Sequence, residues 1–225
     1  MSNQIEWSAE FCEIPSPDKI PKLRDRSLEP IQLPGGQMIQ IPDMSQFGLH
    51  DRLNQNYLHK LANYEFVKRL AKKVRLVVTN TGDAPANDVR LEITVSKELQ
   101  FGIFNQSDIP DAPKRRKSIL ETVDLRNLRI RPPFARTGYV HIEKSEHETK
   151  TEIDCGNLQP GRKVWTDEFH MAVFESGKLQ IHGSLFAANL SKSQEFSLSI
   201  NAQINRTQLT VDQLNALDEM GGNEE

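Results

Sequence analysis

The sequence predicts a mainly β protein, an antiparallel β-sandwich with one N-terminal helix and a long extended N-terminal arm. Two segments, 179–187 and 196–204, alternate apolar and polar residues with the period of two that a half-buried strand requires. Short strands joined by turn-forming residues favour two stacked antiparallel sheets over a βαβ fold. The chain has 225 residues, of which 37% are hydrophobic, and a net charge of −3, which excludes wholesale disorder.

The first 48 residues, 1–48, have the pattern of a strand followed by an arm. Four apolar residues alternate with polar ones at the start: Ile5, Trp7, Ala9 and Phe11. Six of the twelve prolines then fall between positions 15 and 42. Because proline cannot donate to a strand ladder and holds its predecessor extended, we expect an irregular arm over 13–48.

The segment 49–72 has the period of a helix that packs on the sandwich. Its apolar residues recur at helical spacing: Leu53, Tyr57, Leu61 and Tyr64. Asp51 is placed to cap the N-terminus, and basic residues in 68–73 suit the C-terminal end of the helix dipole. These residues predict a helix over about 51–71.

The segment 73–206 carries the strands of the sandwich. We expect strands at 74–79 and 89–95, joined through a turn at Asn80–Asp83 in which Gly82 can take a positive φ. Weaker patterns predict further strands at 138–143, 149–154 and 164–174.

The two alternating segments near the C-terminal end predict a hairpin with residues 189–193 as its connection. Burial of Phe196, Leu198, Ile200 and Ile204 contributes on the order of 6–12 kcal/mol as an upper estimate. A one-residue slip would bury polar residues instead, so we expect the register of this hairpin to be firmly set.

The tail, 207–225, contains one helix signal. Thr210 and Gln213 have the spacing of a capping box, and Leu214 and Leu217 follow it. We expect a short helix that ends at the Gly221-Gly222 pair.

Two stretches resemble a known domain type: VRLVVTNTGDAPANDVRLEITV (74–95) and GNLQPGRKV (156–164). They resemble the opening hairpin and a later turn of immunoglobulin-like domains of the CARDB-related bacterial type. The resemblance implies an immunoglobulin-like fold and brings no catalytic residues. The region 96–137 departs from it, because it is too long and too basic for an ordinary connection between strands.

The stretch from Tyr57 to Gly82 is similar to accessory segments that follow schlafen-like, AlbA-type domains in some bacterial proteins. There, a Tyr-containing helix precedes a similar strand pair. This sequence contains no AlbA-type domain, so no nucleic-acid or ATP function is carried over. The resemblance implies an accessory domain of a bacterial protein.

We find no catalytic or cofactor motif, and we expect no cofactor, no metal and no catalytic residue. The sequence lacks a GxSxG elbow, a glycine-rich phosphate loop and an HExxH helix. Cys12 and Cys155 do not form a short-spaced pair and are expected to stay reduced. His141 and His147 flank two glutamates, a pattern compatible with a surface metal site or, as we favour, a solvated strand edge.

The predicted burial of several aromatic residues and two histidines depends on which face of its element each side chain occupies. Alternating or helical spacing places four aromatic residues more readily in the core than on a binding surface: Trp7, Tyr57, Trp165 and Phe174. His170 and His182 are out of phase with their apolar neighbours, so we expect them to face solvent or another chain.

The most informative charge feature is a basic insertion near 112–136, where eight basic residues stand against two acidic ones. The candidate anion-binding residues are Lys114, Arg115, Arg116, Lys117, Arg126, Arg129, Arg131 and Arg136. Such a block suits a nucleic-acid backbone or an acidic protein surface. The simpler interpretation, which we favour, is a solvated loop at 111–117 followed by a strand with outward-facing arginines.

Three functional hypotheses follow. The first is a non-catalytic protein-interaction or oligomerisation module that uses exposed strand edges. The second is an accessory domain that binds nucleic acid or another polyanion through 114–136. The third is an uncharacterised hydrolase, which requires a concave site with paired carboxylates or histidines.

The sequence lacks two signals that would direct the chain to export or to a membrane. The N-terminus lacks the pattern of a signal peptide, and no apolar run reaches the length of a membrane span. We therefore expect a cytoplasmic protein that binds a protein partner or itself, with nucleic acid as the alternative and no membrane contact.

Overall fold

The computed structural model describes residues 3–23, 31–32, 38–39, 52–96, 100–117 and 137–221. This part of the chain is mainly β, as the sequence predicts, with fifteen strands and two α-helices. Neither of these helices combines the length and the hydropathy that crossing a membrane demands.

The strands differ widely in length, from two residues to fifteen. In chain order they are β1 (Asn3–Glu13), β2 (Ile31–Gln32), β3 (Met38–Ile39), β4 (Arg52–Leu53), β5 (Ala71–Val74), β6 (Val77–Thr79), β7 (Ala86–Ser96), β8 (Phe101–Phe104), β9 (Arg116–Lys117), β10 (Tyr139–Lys144), β11 (Glu148–Leu158), β12 (Lys163–Trp165), β13 (Phe169–Val173), β14 (Gly177–Phe186) and β15 (Gln194–Gln208). The helices are α1 (Tyr57–Leu70) and α2 (Val211–Gly221).

The chain divides into two compact units. The main unit comprises Met1–Cys12, Val67–Ile109 and Ile130–Thr207. The second unit comprises Glu13–Phe66, Pro110–Arg129 and Gln208–Glu225.

The main unit contains a six-stranded sheet with the strand order β1-β15-β14-β7-β11-β10. β14 and β15 pair antiparallel, with Leu179 opposite Ile200 and Gly183 opposite Phe196, which confirms the predicted hairpin. Along β7, inward side chains are buried and most of those between them are exposed. One face of this sheet therefore packs into the core and the other faces solvent.

Shorter strands of the main unit share this core. β5, β13 and β8 form a three-stranded sheet, and β12 pairs with β6. Buried core residues come from both sets of strands: Val89, Leu91, Ile93, Val95, Ile153, Ile181, Leu198 and Ile200 from the six-stranded sheet, and Phe101, Ile103, Phe169, Met171 and Val173 from the three-stranded sheet. β8 was not predicted, so the region 96–137 supplies part of the core as well as a basic insertion.

Asn80 joins the stretch 74–95 to the stretch 156–164. Its Nδ2 donates to the carbonyl oxygens of Ala84 (2.8 Å) and Leu158 (2.9 Å). Its Oδ1 accepts a hydrogen bond from the N–H of Gly82 (3.0 Å). One side chain therefore closes the turn after β6 and ties it to the end of β11.

The helix α1, of which Tyr57–Phe66 belong to the second unit, begins later than the sequence predicts. Arg52–Leu53 form β4 and pair antiparallel with β9. Asn54 donates its backbone N–H to the carbonyl oxygen of Arg115 (2.9 Å). Because these bonds hold the segment extended, the predicted helix start near residue 51 is wrong, and the helix begins at Tyr57.

The N-terminal arm contains a strand pair that the sequence does not predict, whereas the C-terminal tail contains the predicted capping box. Within the arm, β2 and β3 form a short antiparallel ladder that the proline pattern did not predict. In the tail, Gln213 donates its N–H to Oγ1 of Thr210 (3.2 Å), and the Thr210 N–H donates to Oε1 of Gln213 (2.9 Å). These bonds confirm the predicted capping box at the start of α2.

Candidate functional site

Half of the predicted anion-binding residues lie in the described part of the chain. Lys114 and Arg115 are exposed, Arg116 and Lys117 form β9, and Arg126, Arg129, Arg131 and Arg136 lie outside the described residues. The carbonyl oxygen of Lys114 accepts a hydrogen bond from Nδ2 of Asn54 (3.2 Å). The structure therefore does not describe the eight residues as one assembled site.

Arg115 is engaged inside the second unit. Its guanidinium lies 3.4 Å from the carboxylate of Asp218, whose side chain is 12% exposed. Burial, followed by the charge and hydrogen bond of Asp218, raises the pKa of Tyr57. Arg115 thus neutralises a mostly buried carboxylate beside Tyr57, and its position needs no anionic ligand to explain it.

A β-bulge decides where Trp165 points. Val74 pairs with Phe169, and Val77 pairs with Trp165. Between these two ladders, which belong to separate sheets, two residues lie on one side and three on the other, so the 165–169 side carries one extra residue, as in a β-bulge. Because side chains alternate between faces, one extra residue puts Trp165 on the face opposite to Phe169.

The exposures agree with this change of face. Phe169 is 1% exposed and belongs to the core, whereas Trp165 is 54% exposed. The prediction that Trp165 lies in the core is therefore wrong. The same prediction is correct for Trp7 and Tyr57, which are both buried.

Two neighbours hold the backbone around Trp165. The buried hydroxyl of Thr166 accepts a hydrogen bond from the N–H of Leu76 (2.9 Å) and donates to the carbonyl oxygen of Asp167 (2.9 Å). Gly138 has a φ of +88°, and a Cβ there would collide with the carbonyl oxygen of Trp165. The exposed indole is therefore carried on a well-held backbone.

Val77 extends the apolar surface beside Trp165. It lies directly opposite Trp165 in the β6–β12 ladder and is 41% exposed. Lys163 approaches from the same strand as Trp165, with its Nζ 5.9 Å from the centroid of the indole. The result is a small apolar row with a cation at its side.

This row ends at an open strand edge. The carbonyl oxygen of Leu76 accepts from Thr166, and the N–H of Asn80 donates across the same ladder to Arg162 (both 3.0 Å). Because the hydrogen-bonding direction alternates along a strand, the backbone N–H and C=O groups of Val77 point away from β12. Among the described residues, no strand pairs with this outer side of β6.

The charged residues near the row are mostly basic. Lys73 lies 3.1 Å from the carboxylate of Glu168. This hydrogen bond and the positive charge of Lys73 lower the pKa of Glu168. Arg75 precedes β6 and is exposed, so the N-terminal approach to the edge carries positive charge.

The strand β10, at one end of the six-stranded sheet, differs from β6 in what it exposes. Its last two residues, Glu143 and Lys144, are charged and exposed. Lys144 donates to the carboxylate of Asp108 (2.7 Å). Charged residues on an outer strand oppose edge-to-edge pairing, so β6 is better suited than β10 to bind another strand.

A cavity of about 410 Å³ lies in the main unit beside the turn that follows β6. Most of its wall is apolar and includes Val78, Val89, Leu158 and Leu185. Asp83 is the one ionisable residue that the structure describes in this wall. The described wall thus holds no pair of carboxylates or histidines, which the hydrolase hypothesis requires.

The histidines and cysteines of the described ranges do not assemble a reactive centre. No three His, Cys, Asp or Glu side chains lie together there as a metal ion requires. Cys12 and Cys155 are both free and buried, and burial raises the pKa of Cys155 to about 11. A thiol with so high a pKa is a poor nucleophile at neutral pH.

His170 and His182 lie in different surroundings. His182 is exposed, as expected, but His170 is 7% exposed because β13 is the middle strand of its sheet and is buried along its whole length. Burial, followed by the positive charge of Lys73, lowers the pKa of His170. Its Nδ1 has no hydrogen-bond partner among the described residues.

Comparisons with known proteins do not assign a family. No protein-family model and no curated protein matches the sequence. One similar solved structure is a family 123 glycoside hydrolase from Clostridium perfringens, with a TM-score of 0.25 and 11% identity over 70% of this chain and 26% of that one. Another is AvmM, which catalyses macrocyclization in alchivemycin A biosynthesis, with a TM-score of 0.26 and 11% identity over 58% of this chain and 80% of that one. Scores this low identify neither a shared fold nor a shared function.

Proposed function

We propose that this chain is a non-catalytic protein-interaction or oligomerisation module. In this proposal an immunoglobulin-like β-sandwich presents the outer side of β6 to an extended segment of a partner protein. The observation that carries it is the exposed pair of Trp165 and Val77 beside the unpaired backbone of β6.

The energetics of association favour this surface. Backbone hydrogen bonds at a strand edge supply affinity, and neighbouring side chains supply specificity. Tryptophan is enriched among residues that dominate binding energy, where truncation costs about 2 kcal/mol or more, which is about 30-fold in affinity. Because Thr166 and Gly138 hold the backbone of Trp165, little ordering of the backbone is needed when the indole becomes buried.

The test compares two exposed aromatic residues. Trp165→Ala removes the proposed contact, and Phe186→Ala removes a 39% exposed side chain from the six-stranded sheet as a matched control. We expect the wild type and Phe186→Ala either to have a solution mass above the 25.6 kDa of one chain or to retain a protein from native lysate. We expect Trp165→Ala to lose this binding. A monomeric wild-type protein that retains nothing would contradict the proposal.

A further inference from the structure

We infer that the partner at the β6 edge is a second copy of this chain, bound by antiparallel pairing of β6 with β6 about a two-fold axis at Val77. This inference rests on the proposed function and names its partner. It uses residues of the main unit only.

The hydrogen-bonding direction sets the register. The outward backbone groups of β6 belong to Val77 and its neighbours two positions away, Arg75 and Thr79. In an antiparallel pair, residues that exchange both of their hydrogen bonds face each other directly. A two-fold axis at Val77 therefore lets Val77 exchange N–H···O=C bonds with Val77 of the second copy.

The side chains are self-complementary in this register. Arg75 of one copy faces Thr79 of the other, so no like charges are opposed. The two Val77 side chains meet at the axis. Within each copy Val77 lies opposite Trp165, so the exposed row runs from Trp165 of one copy through both valines to Trp165 of the other. Four apolar side chains thus form one continuous row across the interface.

Charge favours the antiparallel direction. Arg75 precedes Val77 and is exposed, whereas Asp83 follows it in the turn after β6. In the antiparallel pair, the end of β6 that carries Asp83 in the second copy lies near the end that carries Arg75 in the first. The two-fold axis creates the same attraction a second time, between Asp83 of the first copy and Arg75 of the second. A parallel arrangement would instead bring like charges together.

The first experiment tests the backbone. Val77→Pro removes the N–H that pairs across the axis and leaves the bonds to β12 intact, because the Val77 N–H points away from β12. Val77→Thr retains that N–H and serves as the matched control. In sedimentation velocity we expect the wild type and Val77→Thr to reach twice the 25.6 kDa chain mass, with at least about a tenfold weaker dimer for Val77→Pro.

The second experiment tests the position of the axis. The sequence has two cysteines, both buried, so Val77→Cys introduces an exposed thiol. We expect a short bis-maleimide to cross-link Val77→Cys into dimers and to leave Lys178→Cys, an exposed position on β14, uncross-linked. Equal cross-linking of the two variants would overturn the proposed axis.

The outcomes separate this inference from the proposed function. A wild-type chain that stays monomeric at every concentration overturns self-pairing. If Trp165→Ala nevertheless abolishes retention of a lysate protein by that monomer, the proposed function stands with a different partner. If nothing is retained either, both fail.

Discussion

At the scale of single residues, Asn80 makes three side-chain hydrogen bonds to backbone groups of the main unit. Its side chain bonds to backbone groups of Gly82, Ala84 and Leu158. Removing it leaves two carbonyl oxygens and one N–H to find other partners. Each such loss at a partly buried site costs about 1–3 kcal/mol.

We predict that Asn80→Ala lowers the free energy of unfolding by about 1–3 kcal/mol in total, since part of the turn is open to water. Asn87→Ala is the control, because its exposed side chain makes no hydrogen bond to the described residues, and we expect a change within about 0.5 kcal/mol. Urea unfolding of both variants measures the difference. Equal midpoints would show that Asn80 does not tie the turn to β11.

We predict that His170 makes stability depend on pH. Its pKa is lowered in the folded protein, so the unfolded chain binds a proton at a higher pH than the folded one. Stability is therefore fully present above the unfolded pKa of about 6.5 and is lost as pH falls toward the folded value, by at most about 1.4 kcal/mol per pH unit. Glu168 and Lys73, which act on His170, stay in place in the variant.

The measurement is the difference between wild type and His170→Gln. We expect urea midpoints of the wild type to fall more steeply between pH 7 and pH 5 than those of His170→Gln. Parallel curves would contradict a neutral, buried His170.

Trp165 shows why residue-level predictions can fail although the strand is identified. The sequence places Trp165 an even number of residues from Phe169, Met171 and Val173, so an uninterrupted strand would bury all four together. The extra residue at 166–168 moves the side chains that precede it in β12, including Trp165, to the opposite face of the strand. The adjacent pair Val164-Trp165 was the signal that could have revealed this, because in any strand only one of two neighbours faces the core.

At the scale of elements, the bulge itself is testable. The Thr166 hydroxyl supplies the acceptor that the N–H of Leu76 would otherwise lack. We predict that Thr166→Val destabilises the fold by about 1–3 kcal/mol, because it leaves the N–H of Leu76 unpaired beside the side chain of Thr166, a residue that is 1% exposed.

Thr166→Ser keeps the hydroxyl and is the matched control, for which we expect a smaller loss. Urea unfolding followed by tryptophan fluorescence measures both variants. If the serine variant is as unstable as the valine variant, the methyl group rather than the hydrogen bond supports the bulge.

Elements with strong local patterns were predicted well. The β14–β15 hairpin and the Thr210 capping box are confirmed, because alternation and capping depend on neighbouring residues alone. The start of α1 was wrong because the pairing of β4 with β9 depends on a segment about sixty positions away. β8 was missed because its four residues are too few to establish a period.

At the scale of the whole molecule, the basic segment distinguishes the proposed function from its alternative. Arg115 is paired with Asp218, so reversing its charge would disturb the second unit itself. A triple variant that replaces Lys114, Arg116 and Lys117 by glutamate and retains Arg115 tests the basic segment without breaking this ion pair. The interaction-module proposal predicts no gel shift of nucleic acid by the wild type at low salt.

A gel shift that weakens steeply with salt and disappears in the triple variant would instead support polyanion binding. Circular dichroism of the triple variant serves as its folding control.

We also predict that both native cysteines resist modification. Burial raises the pKa of Cys155 to about 11, and both thiols are 0% exposed. We expect a thiol reagent at pH 8 to leave the native protein unmodified and to label two thiols per chain in denaturant. Rapid labelling of the native protein would contradict this packing.

The placement of β15 between β1 and β14 constrains how the chain folds during synthesis. β1, the first strand of this sheet in chain order, lies beside β15, the last strand of the sheet in chain order. β1 must therefore wait, unpaired, until translation has passed Gln208, while β7, β11 and β14 can already associate. Completion of this sheet therefore requires that β15 has been synthesised, and a nascent chain stalled before β15 would keep β1 exposed to chaperones and proteases.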